Sequence, residues 1–106
     1  MSKAVERKLV VNDVLSSSWG YDQTNVDFYQ VTRLVGKCMV ELRQIGSARE
    51  YTGGMSGTCT PCMNQFLTNK EPMRKRVIYS GDAVRISSFA TASKWDGRPQ
   101  YFSSYA

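Results

Sequence analysis

Two carboxylates and one thiol pair are the residues of this 106-residue chain whose types and spacing could do chemistry. Asp22 and Asp27 stand five apart within SSWGYDQTNVDFYQ, residues 17–30, among the rings of Trp19, Tyr21, Phe28 and Tyr29. General acid–base work needs two carboxyl pKa values pushed apart by burial or mutual repulsion. On a turn and the strand after it, Asp22 suits a different task, bonding backbone N–H groups as a turn cap, and so does Asn25. CTPC, Cys59 to Cys62, is the thiol pair, and Cys38 is the third cysteine. A structural zinc site takes four Cys or His ligands, one more than this chain holds. A redox reading needs a strand before the motif and a helix after it, to stabilise the first thiolate. TGGMSGT is a poor buried strand, and no βαβ pattern surrounds it. Reduced, unpaired cysteines are the reading that remains.

Histidine is absent. No His-based triad, His metal ligand or imidazole switch can form. The expectation is a protein with no catalytic residues, no cofactor and no metal, one that holds a partner rather than transforming it.

The residues suited to holding are basic and aromatic. The chain carries a net charge of +5, and residues 61–106 contribute +4 of it: seven bases (Lys70, Arg74, Lys75, Arg76, Arg85, Lys94, Arg98) against Glu71, Asp82 and Asp96. That asymmetry favours a polyanionic partner: nucleic acid, a nucleotide or an acidic host protein surface. In MRKR, an extended backbone puts Arg74 and Arg76 on one face and Lys75 and Val77 on the other. The competing role for this cluster is a charged strand edge that discourages pairing. Single-strand binders interleave rings with bases because any nucleobase stacks on a ring. Lys94, Trp95, Arg98 and Tyr101 fit that pattern, so the candidate binding residues are Arg74, Arg76, Lys94, Trp95, Arg98 and Tyr101. Trp19 and Phe28 are assigned to packing, since rings fill the ends of a small core.

A single small domain spanning 1–106 must position these groups. At this length roughly 65% of the unfolded chain's surface can be buried, enough for one core without a staple. Hydrophobic content of 42% with 22% charge is that of a globule, not of a disordered tail. No apolar run approaches the roughly 20 residues of a membrane-spanning helix. The N-terminus lacks a secretory signal's apolar block, so a cytoplasmic location is expected.

Short strands and turn signals dominate the chain. NVDFYQVTRLV and CMVELRQI flank Gly36-Lys37, which predicts a hairpin over 26–45 with a two-residue type II′ turn. SSWGYDQTNVDFYQ closes an earlier hairpin with Asp22, Gln23, Thr24 and Asn25 at its tip. Residues 46–62, rich in Gly, Ser and Thr, read as a loop with a short strand at most. MNQFLTNKEPMRKR has room for one helical turn before Pro72. VIYSGDAVRIS predicts a hairpin turning at residues 80–82, and Asp96-Gly97 a further turn. Five or six strands make a mainly β protein, a small antiparallel meander curled into an SH3-like or OB-like barrel, because closure removes sticky edges. A helix over SKAVERKLVV would make it α+β.

WGYDQTNVDFYQV, EPMRKRV, ISSFATASKWDG and the closing YFSSYA resemble a group of short proteins of bacteriophages and mobile elements. The resemblance covers most of residues 12–45 and 71–106; CTPC lies outside the shared pattern. It implies a genetic context, in the cytoplasm of a bacterial host, rather than a mechanism. Such proteins often act stoichiometrically, by binding nucleic acid, blocking defence complexes or capturing signalling nucleotides. The expected function is therefore a non-enzymatic binding protein that contacts nucleic acid or a nucleoprotein. The alternative is an anti-defence inhibitor, anti-CRISPR-like or nucleotide-sequestering.

Overall fold

The run Phe28-Tyr29-Gln30-Val31 is buried at every position, although successive side chains of a strand point to opposite faces. Both faces of this strand are therefore covered, and the architecture follows from that. A computed structural model of the chain describes residues 7–20, 24–79 and 81–103. Its strands are β1 (Val14–Trp19), β2 (Asn25–Val35), β3 (Met39–Gly53), β4 (Ser56–Phe66), β5 (Met73–Ile78), β6 (Ala83–Ser87), β7 (Ala90–Lys94) and β8 (Gln100–Ser103). All pairings are antiparallel, and no helix occurs among the described residues.

Six strands close a ring, β2-β1-β7-β6-β5-β3, sealed by pairing of β2 with β3. The ring is a mainly β barrel, as the patterning implies. Its strand order departs from simple succession, because β7 lies between β1 and β6. Inside it, Leu15, Tyr29, Val31, Val40, Leu42, Val77, Val84 and Ala92 pack together, and Leu9 closes the core from the N-terminal segment. Residues 7–11 are not helical; the rest of the SKAVERKLVV segment lies outside the described residues. Arg7 Nη1 donates to Gly36 O at 2.8 Å and Met39 O at 3.1 Å, and Lys8 N donates to Gly81 O at 2.9 Å. The segment thus straps that end of the barrel.

β3 is long enough to belong to two layers. Met39–Leu42 pairs with β5, and Ile45–Gly53 pairs with β4, which in turn carries β8. These strands cover the outer face of β2, where Val14, Val26, Phe28, Ile45, Cys59 and Phe102 form a second core flanked by Phe66 and Trp95. Full burial of a ring such as Phe28 contributes about 2–3 kcal/mol. Between the layers sits the buried amide of Gln30. Its Nε2 donates to Asn12 Oδ1 at 3.1 Å and Asn64 Oδ1 at 3.0 Å, and its Oε1 accepts from Asn64 N at 2.8 Å. Asn12 and Asn64 both adopt left-handed backbone, φ 76° and 66°, which asparagine tolerates better than most residues.

Four expectations are corrected. The 26–45 hairpin forms, but Val35 pairs with Met39, so the connection is the three residues Gly36, Lys37 and Cys38, with Gly36 at φ 58°. Residues 46–62 are not a loop; they complete β3 and most of β4. Their polar composition reflects a ribbon exposed on both sides from Ala48 to Met55. MNQF is strand rather than a helical turn. Eight strands replace five or six. The early hairpin does form, with Trp19 opposite Asn25; Tyr21, Asp22 and Gln23 lie outside the described residues.

Two substitutions test this construction. Gln30→Leu leaves the Asn64 N–H and two asparagine carbonyl oxygens without their partner, and should lower unfolding free energy by about 3 kcal/mol in urea titration. At Gly57 an added Cβ would collide with Glu50 O and lie 2.8 Å from Tyr51 Cα. Gly57→Ala should therefore unpair the β3–β4 ribbon, seen as amide exchange in 48–60 that rises while the barrel strands stay protected.

Candidate nucleic-acid interface

The arginines of the barrel wall are sorted by backbone phase. On β2, Tyr29 and Val31 point into the barrel, so simple alternation would send Arg33 inward too. A bulge between Val31 and Arg33 resets the phase, and Arg33 pairs with Glu41, outward on β3. Thr32 occupies the extra position, with Oγ1 donating to Glu41 O at 3.2 Å. Glu41 also faces Arg74 across β5. Three neighbouring strands therefore carry Arg33, Glu41 and Arg74 in one row, and Arg74 Nε lies 3.4 Å from Glu41 Oε1.

The next row holds Arg76, opposite Met39. Since Val77 pairs with Val84, the register brings Arg85 of β6 beside Arg76, both outward and exposed. Four guanidinium groups, from Arg33, Arg74, Arg76 and Arg85, share this wall with the Glu41 carboxylate. Arg74 and Arg76 share a face, and Lys75 and Val77 share the other, as alternation requires. Lys75 turns inward, its Nζ donating to Ile86 O at 3.3 Å. Arg43 is excluded from the wall because β4 covers it: its Cζ lies 4.9 Å from the centroid of the Phe66 ring.

The other candidates lie elsewhere. Lys94 ends β7, with Nζ 3.7 Å from Asp13 Oδ2. Trp95 is half-buried, edge-on to Phe28 at 6.3 Å between centroids, and its Nε1 donates to Arg98 O at 2.7 Å. Arg98 pairs with Asp96 at 3.6 Å across the turn where Gly97 has φ 89°. Tyr101 is exposed on β8, opposite Thr58. Trp95, Asp96 and Arg98 thus build one turn together, apart from Arg74 and Arg76. Tyr105 lies outside the described residues. Sequence reading missed Arg33 and Arg85, and strand alternation alone would have found Arg85.

The chemistry-bearing motifs are placed as follows. Asp27 Oδ2 accepts from Trp19 Nε1 at 2.8 Å, and Oδ1 from Gln44 Nε2 at 3.2 Å; Asp22 lies outside the described residues. Burial, with the Asp27 carboxylate adding to it, pushes the Tyr29 phenol up to about 12. CTPC lies within β4 rather than before a helix, and all three cysteines are free thiols. Burial pushes the Cys59 thiol up, against the Arg49 charge that lowers it. A crevice of about 190 Å³ between β3, β4 and Pro99 is lined by Arg49, Glu50, Thr58 and Thr60 among others, and its charges are of opposite sign. No group of three potential metal ligands occurs among the described residues, and no helix there is long and apolar enough to cross a membrane. No protein-family model, curated protein or solved structure matches the chain.

Tyr29 gives a signed alkaline prediction. The unfolded phenol ionises near its ordinary 10.0, whereas the folded one stays neutral to about 12. Stability present below pH 10 is therefore lost as pH rises through that window. Urea midpoints at about pH 9, 10.5 and 11.5 should fall less steeply for Tyr29→Phe than for the parent.

Proposed function

We propose that the protein is a non-enzymatic module that binds single-stranded nucleic acid through the arginine wall of its barrel. The observation that carries this reading is the pair of rows holding Arg33, Arg74, Arg76 and Arg85, gathered from three strands onto one face with a single intervening carboxylate on a fourth. Guanidinium groups on a rigid sheet present fixed donors, and guanidinium geometry matches phosphate oxygens. Strands support such spacing better than a loop would, because neighbouring strands lie about 4.8 Å apart and alternate residues about 6.7 Å. Phosphates of an extended strand repeat on a similar scale, so successive phosphates meet successive rows. Glu41 orients Arg74 while leaving the wall strongly positive. In a phage or mobile-element setting the same wall would hold host or phage nucleic acid, or the nucleic acid of a defence complex, by stoichiometric occupation.

Fluorescence anisotropy with a labelled single-stranded oligonucleotide tests the reading. With three to four phosphates engaged, the slope of log K against log salt should be about −2 to −3. Affinity should then fall some thirtyfold between about 50 and 200 mM salt. Arg76→Glu with Arg85→Glu should cut affinity at least tenfold, flatten the slope by about 1.4, and move the thermal midpoint little. Lys94→Ala and Arg98→Ala should leave affinity within about twofold, since neither lies on the wall. Binding that ignores salt, or an unaltered double mutant, would remove the proposal.

A further inference from the structure

An exposed phenylalanine sits where a turn has no use for one. Phe89 is 71% exposed, in the two-residue connection Ser88-Phe89 between Ser87 and Ala90, which pair across β6 and β7. Turns of this kind ordinarily carry Gly, Asn, Asp or Ser for conformational reasons, and an apolar ring left in water contributes no burial to the fold. The Phe89 ring leans on Trp19, 5.5 Å between centroids and tilted by 60°. Trp19 in turn is held rigid: its Nε1 donates to Asp27, and Gln44 holds the second Asp27 oxygen. Two rings thus meet at one rim of the barrel, Trp19 anchored from beneath and Phe89 open to solvent. The same end carries two buried hydroxyl oxygens, Ser17 Oγ and Ser87 Oγ, without a hydrogen-bond partner. Ser17 is 1% exposed and lies opposite Asp27.

The platform is continuous with the arginine wall. Within the β6–β7 hairpin, Arg85 pairs with Thr91 and Ser87 with Ala90, so Arg85 stands just below the turn that bears Phe89. Arg76 follows on the next strand by register. We infer that the Trp19–Phe89 pair stacks one unpaired nucleobase of a single strand whose phosphates run over the rim to Arg85 and Arg76. The inference rests on the nucleic-acid reading above and adds to it a requirement for an unstacked base. Arginine contacts alone would hold a duplex or an abasic strand equally well.

The deciding experiment compares an oligothymidylate of eight residues with an abasic oligomer carrying the same phosphates, bound to the full chain and followed by anisotropy. The parent should prefer the base-bearing strand about tenfold, in the lower part of the range for one base on one aromatic platform. Phe89→Leu, which keeps apolar bulk, and Phe89→Ala should bring that ratio close to one without changing the salt slope. Phe89→Tyr should restore it. Equal binding of both strands by the parent, with the salt slope intact, would overturn the stacking platform and leave the arginine wall standing. So would a tenfold ratio that survives in Phe89→Leu. No binding of either strand would remove both.

Discussion

Strand β2 has no solvent face along Phe28–Val31, and much of the molecule exists to satisfy that condition. Its edges are taken by β1 and β3, which closes the ring. Its inner face needs Leu9 and the barrel core. Its outer face needs Phe102, Phe66 and Trp95, which obliges β3 to outrun the barrel and bring β4 and β8 back over β2. An apolar pair on each face and an amide at the seam give one strand three different tasks. The amide is the most demanding of these. A buried Gln is tolerable only when its donors and acceptors are met, and meeting them fixes both the N-terminal strap at Asn12 and the irregular end of β4 at Asn64.

That covering layer also decides which outer surface of the barrel stays open. It occupies the outer surface of the barrel above β1 and the upper part of β2, taking Arg43 with it. What stays open is the wall formed by the far end of β2, the start of β3, and β5 and β6. The ribbon beyond the barrel is held by different means. Tyr51 meets Phe102 edge-on at 5.3 Å, and Arg49 lies over the same ring at 4.9 Å, while Gly57 lets the two backbones approach. β8 then covers part of the β4 edge and reaches back to β2, where Ser103 N donates to Thr24 O at 3.0 Å. A four-residue edge strand is short enough to blunt pairing with other chains.

The sequence carried part of this plainly. CMVELRQI alternates as a half-buried strand does, with Val40 and Leu42 on the face that proves buried, and Gly36 marked the turn that follows β2. The 46–62 ribbon was illegible because composition reports burial rather than hydrogen bonding: residues exposed on both sides carry no apolar period, yet their backbones still pair. The double burial of β2 was illegible for the converse reason. FYQV reads equally as a half-buried strand or a fully buried one, and the covering strands lie far away in the chain. Arg74 and Arg76 were legible from alternation. Trp95 stands with Lys94 and Arg98 away from the arginine wall, and each of those bases lies beside a local acid. Phe89 gave only the faint sign of an apolar residue among serines.

The extra residue at Thr32 is what puts Arg33 on the charged wall. Without it, the phase of β2 would carry Arg33 into a core of valine and leucine, where an unpaired guanidinium costs several kcal/mol. Either the arginine or the regular ladder had to yield, and the ladder did. An apolar residue at 33 would have kept the ladder intact and lengthened the barrel core. The chain instead carries a bulge that turns Arg33 outward into the row of Glu41 and Arg74 and sets Leu34 opposite the buried Val40. An exposed Arg–carboxylate pair contributes about 0–1 kcal/mol, so the Arg33–Glu41–Arg74 row adds little to stability. What the row presents outward is two guanidinium groups at strand spacing with one carboxylate between them, which lies 3.4 Å from Arg74 and leaves the row with a net positive charge.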